Sequence, residues 1–159
     1  MTVEIRRLDS ENFDGFVELL GQFAAYEKLE GPDNDAKLRL KEDGFTDNPK
    51  YHAFIVFVDY KPVGFVVYFF TYSTFNAKPT LYIEDIFVSE AYRGEGIGKS
   101  IFDHCIQEAN DKKCGRIDFA VLDWNQPAID FYEKIGAERL PWFSYRLNEE
   151  KMTQYTWKV

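Results

Sequence analysis

The sequence predicts an α/β or α+β domain in which helices flank a mixed, mostly antiparallel central sheet. Three observations predict it. Segments rich in β-branched and aromatic residues are separated by segments whose apolar residues recur every three or four positions. A glycine-rich turn joins an apolar strand ending at Val88 to an amphipathic segment starting at Ile97. The length suits one domain over residues 1–159, in the order βααβββαβα followed by segments that can supply closing strands.

The composition is that of an ordinary domain. Of the 159 residues, 45% are hydrophobic and 18% aromatic, so the chain can bury a core without disulfides or a metal. Cys105 and Cys114 form no C-x-x-C pair, and we expect free thiols in a reducing compartment. No signal-like start and no apolar run long enough to cross a bilayer are present, so we expect a cytoplasmic protein without a membrane partner.

The charge balance bears on the partners of the protein. A formal net charge of −8, from 19 basic and 27 acidic residues, repels polyanions over most of the surface. We therefore expect no nucleic-acid partner. A cationic substrate such as an amine would be attracted.

The N-terminal part predicts one strand and two helices. Residues Val3 to Leu8 begin with the alternation of a half-buried strand. A continuous apolar stripe from Phe13 to about Leu29 predicts the first helix. The segment 31–33, Gly-Pro-Asp, breaks it, and a short second helix is expected to end near Gly44.

The centre predicts an antiparallel meander. Residues Ala53 to Val58 and Val63 to Tyr72 are dense in β-branched and aromatic side chains, with Asp59 to Pro62 as the turn between them. A polar interval then leads into a third long strand, Leu81 to Val88.

The C-terminal part continues the alternation. The apolar face from Ile97 to Ala109 predicts a helix, and Ile117 to Val121 alternates as a strand, parallel to the one before the helix. A further helix is expected between Trp124 and Gly136. The segments Trp142–Leu147 and Thr153–Val159 can supply closing strands or a tail.

The glycine turn Tyr92-Arg93-Gly94-Glu95-Gly96-Ile97-Gly98 predicts a phosphate site. Glycines at alternate positions let backbone N–H groups converge on an anion, and the following helix adds its positive N-terminal end. A dinucleotide fingerprint fails because Lys99 stands where its third glycine belongs. A P-loop fails because Arg93 stands where its first glycine belongs.

What fits is Arg-x-x-Gly-x-Gly, met by Arg93, Gly96 and Gly98, which resembles the GNAT-type N-acetyltransferases. In that family this turn holds the pyrophosphate of acetyl-CoA. Further segments resemble the diamine (spermidine/spermine) acetyltransferase branch and its thialysine-acetylating relatives: Leu81–Asp85, Val121–Gln126, Tyr26–Leu29, Asp43–Phe45, Asn48–Pro49 and Phe70–Thr74. The resemblance covers most of residues 3–140 and implies a GNAT-like fold, acetyl-CoA as co-substrate without a metal, and a homodimer.

The resemblance also implies which positions hold acetyl-CoA. The backbone of the strand that enters the turn is the expected edge for the pantetheine arm, and the turn itself binds the pyrophosphate. The expected set is Ile86, Phe87, Val88, Arg93, Gly94, Glu95, Gly96, Ile97, Gly98, Lys99, Asn125, Gln126, Pro127, Ala128 and Tyr132.

Acetyl transfer to an amine needs a proton acceptor, since a lysine-like amine with a pKa of about 10.4 is charged at neutral pH. The resemblance assigns this role, through water, to Glu84, and the protonation of the coenzyme A thiolate to Tyr132. From the residues alone, Glu84 equally fits a salt bridge and Tyr132 a core aromatic. Consecutive strand residues alternate, so Glu84 and Asp85 are expected to face opposite sides of the sheet. Asn125 and Tyr132 are two helical turns apart and are expected on one helix face.

The acceptor side is expected at Tyr26, Glu27, Glu84, Asp118, Phe119 and Ala120. Where polyamine acetyltransferases carry an aspartate after Phe-Thr-Tyr, this chain has Ser73-Thr74-Phe75, closer to the thialysine branch. We predict an acetyl-CoA-dependent N-acetyltransferase acting on a small primary amine, a diamine, polyamine or thialysine-like compound, by direct attack in a ternary complex. The alternatives are a protein or peptide amine acetyltransferase and a non-catalytic acetyl-CoA-binding regulatory domain.

Overall fold

In the computed structural model, which describes residues 2–156, the chain forms two compact units, residues 1–120 and 121–159. All strands of the described residues lie in the first unit. Between residues 2 and 156, no helix is long and apolar enough to cross a membrane.

The predicted element order is confirmed. The elements are β1 Val3–Arg7, α1 Phe13–Glu27, α2 Asn34–Gly44, β2 His52–Val58, β3 Lys61–Ser73, β4 Lys78–Val88, α3 Ile97–Asp111, β5 Arg116–Phe119, α4 Gln126–Lys134 and α5 Glu149–Thr153. The strands follow one another across the sheet in the order β1-β2-β3-β4-β5. Neighbours are antiparallel except β4 and β5, which are parallel as the strand–helix–strand rule predicts.

Helices cover the two faces of the sheet. On one face, Phe16 of α1 packs edge-on against Phe65 of β3, with 5.3 Å between ring centroids, and both side chains are buried. On the other face, Tyr68 of β3 donates a hydrogen bond of 3.0 Å to a carboxylate oxygen of Glu108 in α3. Since Phe65 and Tyr68 are an odd number of residues apart on one strand, α1 and α3 lie on opposite sides.

Two connections in the first unit are predicted from the sequence. The β2–β3 turn is shorter than predicted, because only Asp59 and Tyr60 form it, with φ of 47° and 69°. Positive φ at both positions matches the twist of the flanking strands. The predicted break before α2 is confirmed, and Asp33 caps that helix through a hydrogen bond of 2.8 Å from the Ala36 N–H.

The second unit has no closing strands among its described residues. Residues 142–147 have no regular secondary structure, and the chain continues into the short α5. The side chains of Trp142, Phe143 and Tyr145 are 76%, 88% and 94% exposed. Of the two alternatives for Trp142–Leu147, closing strands or a tail, the described residues form no strand and match the tail. Of the segment Thr153–Val159, Thr153 ends α5, and residues 157–159 lie outside the described residues.

Gly64 of β3 is required by a close backbone approach to β4. A Cβ atom at this position would lie 2.6 Å from the carbonyl oxygen of Phe87, an atom that cannot rotate away. We expect Gly64→Ala to lower the free energy of unfolding by about 2 kcal/mol, as overpacking does, and the melting temperature by about 4–8 °C. Thermal denaturation followed by circular dichroism measures this.

The matched control is Gly21→Ala in α1. A Cβ atom there would meet no atom within 4 Å, and the glycine lies inside a helix. We expect this variant to gain about 0.5–1 kcal/mol, because alanine is the better helix former. Equal stability of the two variants would mean that the Phe87 carbonyl moves aside at no cost.

Candidate active site

The centre of the candidate site is an irregularity in β4. Val67 of β3 pairs with Asp85, whereas the next residue, Tyr68, pairs with Ile83, so Glu84 is an extra residue on β4. Such a bulge bends the strand and interrupts the alternation of its side chains. The alternation that predicts opposite sides of the sheet for Glu84 and Asp85 is therefore interrupted at this point of β4, and their opposite orientation stays a prediction.

Beyond the bulge, one edge of β4 is open. The pairing of β4 with β5 extends only from Thr80 to Ile83. In the part of the chain that the structure describes, residues 84–88 have no strand partner on that side. Their outward N–H and C=O groups can therefore bind an extended ligand. The expected pantetheine edge, Ile86 to Val88, lies in this segment.

Carboxylates cluster at the bulge. Burial raises the pKa of Asp85 to about 6, and the nearby negative charges of Glu84 and then Glu27 add to this. Burial also raises the pKa of Glu27, which ends α1. Glu84 is exposed, whereas Asp85 is half-buried. Glu84 and Glu27 thus each lie near enough to Asp85 for their charges to act on it, and a cation would relieve this repulsion.

Tyr82 links the bulge to β5. Its pKa is raised by burial first, and then by the charges of Glu84 and Asp118. Its ring stacks on Phe69 of β3, with 5.3 Å between centroids. Tyr82 pairs with Asp118 across the two strands. The side chain therefore lies between two of the predicted acceptor residues.

The remaining predicted acceptor residues on β5 have protein partners. Asp118 forms an ion pair with Arg116, whose Nε lies 3.0 Å from the Asp118 Oδ2. Phe119 packs edge-on against Phe102 of α3, with 5.5 Å between centroids. Ala120 follows the end of β5 and is exposed. The negative charge of Asp118 is thus partly balanced, which leaves the bulge as the more acidic part of the site.

The glycine turn has the geometry that an anion needs. Gly94 and Gly96 have φ of 83° and 80°, a region that other residues rarely adopt, and a Cβ atom at either position would meet no atom within 4 Å. Gly96 is the N-cap of α3, and the Ser100 N–H is bonded to its carbonyl oxygen at 3.1 Å. The N–H groups of residues 97–99, which include Gly98, therefore point out of the helix end. This cradle fits a phosphate group.

Both cationic side chains of the turn are bonded within the protein. The Arg93 Nε donates a hydrogen bond of 3.0 Å to the Val88 carbonyl oxygen, and its guanidinium carbon lies 4.5 Å from the ring centroid of Tyr26. The Lys99 Nζ lies 2.6 Å from a carboxylate oxygen of Asp103. Backbone N–H groups and the helix end therefore add to the attraction that these two cations exert on an anion.

In the second unit, Asn125 precedes α4 as its N-cap instead of lying in its first turn. Its side-chain oxygen accepts a hydrogen bond of 3.4 Å from the Ala128 N–H. Pro127 occupies the first turn, as predicted from its lack of an N–H donor. The Gln126 side chain donates a hydrogen bond of 2.6 Å to Asp130.

Tyr132 lies in α4, two turns after that cap. Its ring is half-buried and meets the ring of Phe131 edge-on at 5.7 Å, and its carbonyl oxygen accepts a hydrogen bond of 3.0 Å from Ala137. A regular helix thus fixes the direction of the tyrosine side chain.

Sequence reasoning missed two residues of this site, Asp85 and Tyr82. The consecutive acids in an apolar strand were a signal for Asp85, because a carboxyl group in such a strand must find water or a partner. The bulge at Glu84 depends on the pairing of β4 with β3, which no local pattern encodes. Tyr82 gave no signal of its own in a chain with ten tyrosines.

Comparisons with known proteins agree with this geometry. A model described as the acetyltransferase (GNAT) family matches residues 14–137. The chain is 34% identical to a thialysine N-epsilon-acetyltransferase of Sus scrofa, with 99% of both proteins covered. It is 32% identical to spermidine/spermine N(1)-acetyltransferase-like protein 1 of Homo sapiens, over 98% of this chain and 24% of that protein. An integron cassette protein of V. cholerae shares the fold with a TM-score of 0.81 and 24% identity, covering 98% of this chain and 99% of that one.

Proposed function

Because this chain belongs to the acetyltransferase (GNAT) family and is an N-acetyltransferase, we propose that it acetylates a small primary amine by direct attack in a ternary complex. The observation that carries the acceptor class is the group of carboxylates at the β4 bulge, Glu27, Glu84 and Asp85. Such a group binds an ammonium and can take up its proton. The family match and the names of the relatives confirm the resemblance to GNAT-type N-acetyltransferases that the sequence predicts.

Acetyl-CoA is the acetyl donor of GNAT enzymes and supplies the activated thioester. The residues of the first unit fit this ligand: the turn of Gly94 and Gly96 with the N-terminus of α3 suits the pyrophosphate, and the open edge of β4 suits the pantetheine arm. Within this set, we propose that Arg93 and Lys99 act less as phosphate ligands than as parts of the protein's own framework, because each has an internal partner.

The acceptor amine must lose a proton before it attacks. We propose that Glu84, exposed at the bulge, receives this proton through water, and that Asp85 holds the amine. A carboxyl group with a pKa near neutral accepts a proton from an amine more readily than an ordinary aspartate does. The acceptor pocket is proposed to have two sides. One side consists of Tyr26 and Glu27 at the end of α1, and the other consists of Asp118, Phe119 and Ala120 on and after β5.

As the N–C bond forms and the C–S bond breaks, the departing thiolate takes up a proton. We propose Tyr132 as the donor and Asn125, with Gln126, Pro127 and Ala128, as contacts of the coenzyme. The support is the resemblance in residues 121–132 together with the position of Tyr132 on a capped, regular helix. If Tyr132 had only a structural role, replacing it by phenylalanine would leave kcat at the wild-type value.

The acceptor is proposed to be a thialysine-like amine before a polyamine. The name of the Sus scrofa relative, which aligns over the whole chain, supports this. The sequence Ser73-Thr74-Phe75 supplies no carboxylate for the second ammonium group of a polyamine. A spermidine-type acceptor stays the second candidate, because a relative of that name also aligns with 98% of this chain.

We also propose a homodimer in the cytoplasm. The exposed aromatic side chains of residues 142–145 form an apolar surface that a second copy could cover. We propose that Trp157, which lies outside the described residues, belongs to the same surface. The free cysteines Cys105 and Cys114 support a reducing compartment. Sedimentation of the purified protein as a monomer at micromolar concentration would contradict the dimer.

The test is thiol release from acetyl-CoA with the purified protein and a panel of amines: thialysine, lysine, putrescine, spermidine and a lysine-containing peptide. We expect saturable release with one small amine, thialysine first. Release with the peptide alone would transfer the assignment to a protein amine. No release with any amine, while coenzyme A still protects the protein against heat, would favour a regulatory binding domain.

A further inference from the structure

Arg93 stands at the start of the glycine turn, and its side chain bridges the turn to two other elements. Its Nε is bonded to the carbonyl oxygen of Val88, the last residue of β4. Its guanidinium carbon lies 4.5 Å from the ring centroid of Tyr26 and 5.9 Å from that of Phe87. Both distances are in the range of a cation–π contact. The cation therefore rests on aromatic side chains.

Tyr26 belongs to the last turn of α1, directly before Glu27. The Arg93 guanidinium therefore contacts a side chain of the last turn of α1. The rings of Tyr26 and Phe87 also lie 6.5 Å apart. The end of α1, the end of β4 and the coenzyme-binding turn thus meet at one side chain.

We propose that Arg93 is a positioning residue that couples the coenzyme site to the acceptor site through its contact with Tyr26. The acceptor half of this inference rests on the proposed function. A turn with glycines at positive φ loses much conformational freedom when it is ordered. Because Arg93 holds the turn before the ligand arrives, a larger fraction of the protein is competent to bind, and the apparent Kd falls in proportion.

The coupling is reciprocal, as linkage requires. Coenzyme bound at the turn keeps Arg93 on Tyr26 and so stabilises the end of α1, where Glu27 lies beside the carboxylates of the bulge. Amine binding is therefore tighter when the coenzyme is present. If Arg93 served only as a positive charge for the pyrophosphate, Tyr26 would have no influence on coenzyme affinity, and lysine would replace the arginine.

The test is calorimetric titration of coenzyme A into the wild type, Tyr26→Leu, Tyr26→Phe, Arg93→Lys and the double variant Arg93→Lys/Tyr26→Leu. We expect Tyr26→Leu to raise the Kd of coenzyme A about threefold, the value of an exposed cation–π contact. Tyr26→Phe keeps the ring that contacts Arg93 and should raise the Kd less than Tyr26→Leu does. Arg93→Lys should raise the Kd about fivefold, since it loses the bond to Val88 and the planar stack.

The double variant is decisive. If the two side chains act as a pair, its Kd is close to that of Arg93→Lys alone, whereas independent effects would multiply. Multiplied effects, or a Kd of Tyr26→Leu equal to the wild type, would overturn the coupling. Arg93 is exposed, so Arg93→Lys folds and tests the inference even where Tyr26→Leu is unstable.

The effect of Arg93 on the acceptor site is measured by steady-state kinetics with thialysine at saturating acetyl-CoA. Arg93→Lys should raise the KM for the amine about threefold with little change in kcat, the factor expected for losing one exposed contact. An unchanged amine KM would overturn the coupling. The absence of turnover with any amine in the wild type would instead refute the proposed function, and the coenzyme A titrations would still decide the coupling.

Discussion

Replacement of Tyr132 by phenylalanine is expected to lower kcat about a hundredfold or more, the share that a positioned acid contributes. The variant keeps the ring and the helix α4 that carries it, so only the hydroxyl group is lost. Without that proton donor the thiolate departs less readily, while the Kd of coenzyme A should stay close to the wild-type value. Thiol release gives kcat, and calorimetric titration of coenzyme A gives the Kd.

Tyr60→Phe is the matched control, because Tyr60 lies in the β2–β3 turn with its side chain 83% exposed. It should retain the wild-type kcat. Wild-type kcat in Tyr132→Phe would return Tyr132 to the role of a structural aromatic. A joint loss of coenzyme A binding and turnover would make it a binding residue.

The regular elements are predictable from the sequence because each carries its own period. In α3, Ile97, Ile101 and Cys105 recur at helical spacing, and all three side chains are buried. The strands of the meander are predictable as well, because their dense β-branched and aromatic residues show no helical period. The glycine turn is also local, since its conformation depends on residues that can adopt positive φ.

The features that could not be predicted depend on partners distant in the chain. The bulge at Glu84 follows from the register of β4 against β3, and a one-residue shift of register leaves no trace in the periodicity. The aromatic residues after Leu140 have the propensity of a strand but pair with no strand among the described residues. Arg93 meets Tyr26 only because α1 packs beside the end of β4.

Asp85→Asn is expected to slow the enzyme and to stabilise it. The folded-state pKa of Asp85, about 6, lies above its ordinary value of 3.8. Its favourable contribution to stability is therefore complete below pH 3.8 and is lost as the pH rises through about 6. At pH 8 the ionised carboxylate costs about 2 kcal/mol, after allowance for its partial solvation. We expect the melting temperature of Asp85→Asn to exceed that of the wild type by about 4–8 °C at pH 8, with a smaller gain at pH 5.

The kinetic effect of the same variant has the opposite sign. In the wild type, kcat/KM should rise with pH through an inflection near the Asp85 pKa of about 6. Asp85→Asn should remove this inflection and lower kcat/KM about a hundredfold. Glu84→Gln should also reduce turnover strongly with coenzyme A binding retained, but its exposed position predicts little change in stability.

Asp47→Asn, at an exposed loop position, controls for the loss of one negative charge and should change neither property. A pH profile of Asp85→Asn identical to that of the wild type would assign the inflection to another group. Stabilisation without loss of activity would show that Asp85 is a strained but dispensable acid. Loss of activity together with the gain in stability would show that the β4 bulge keeps an unfavourable carboxylate because the acceptor amine requires it.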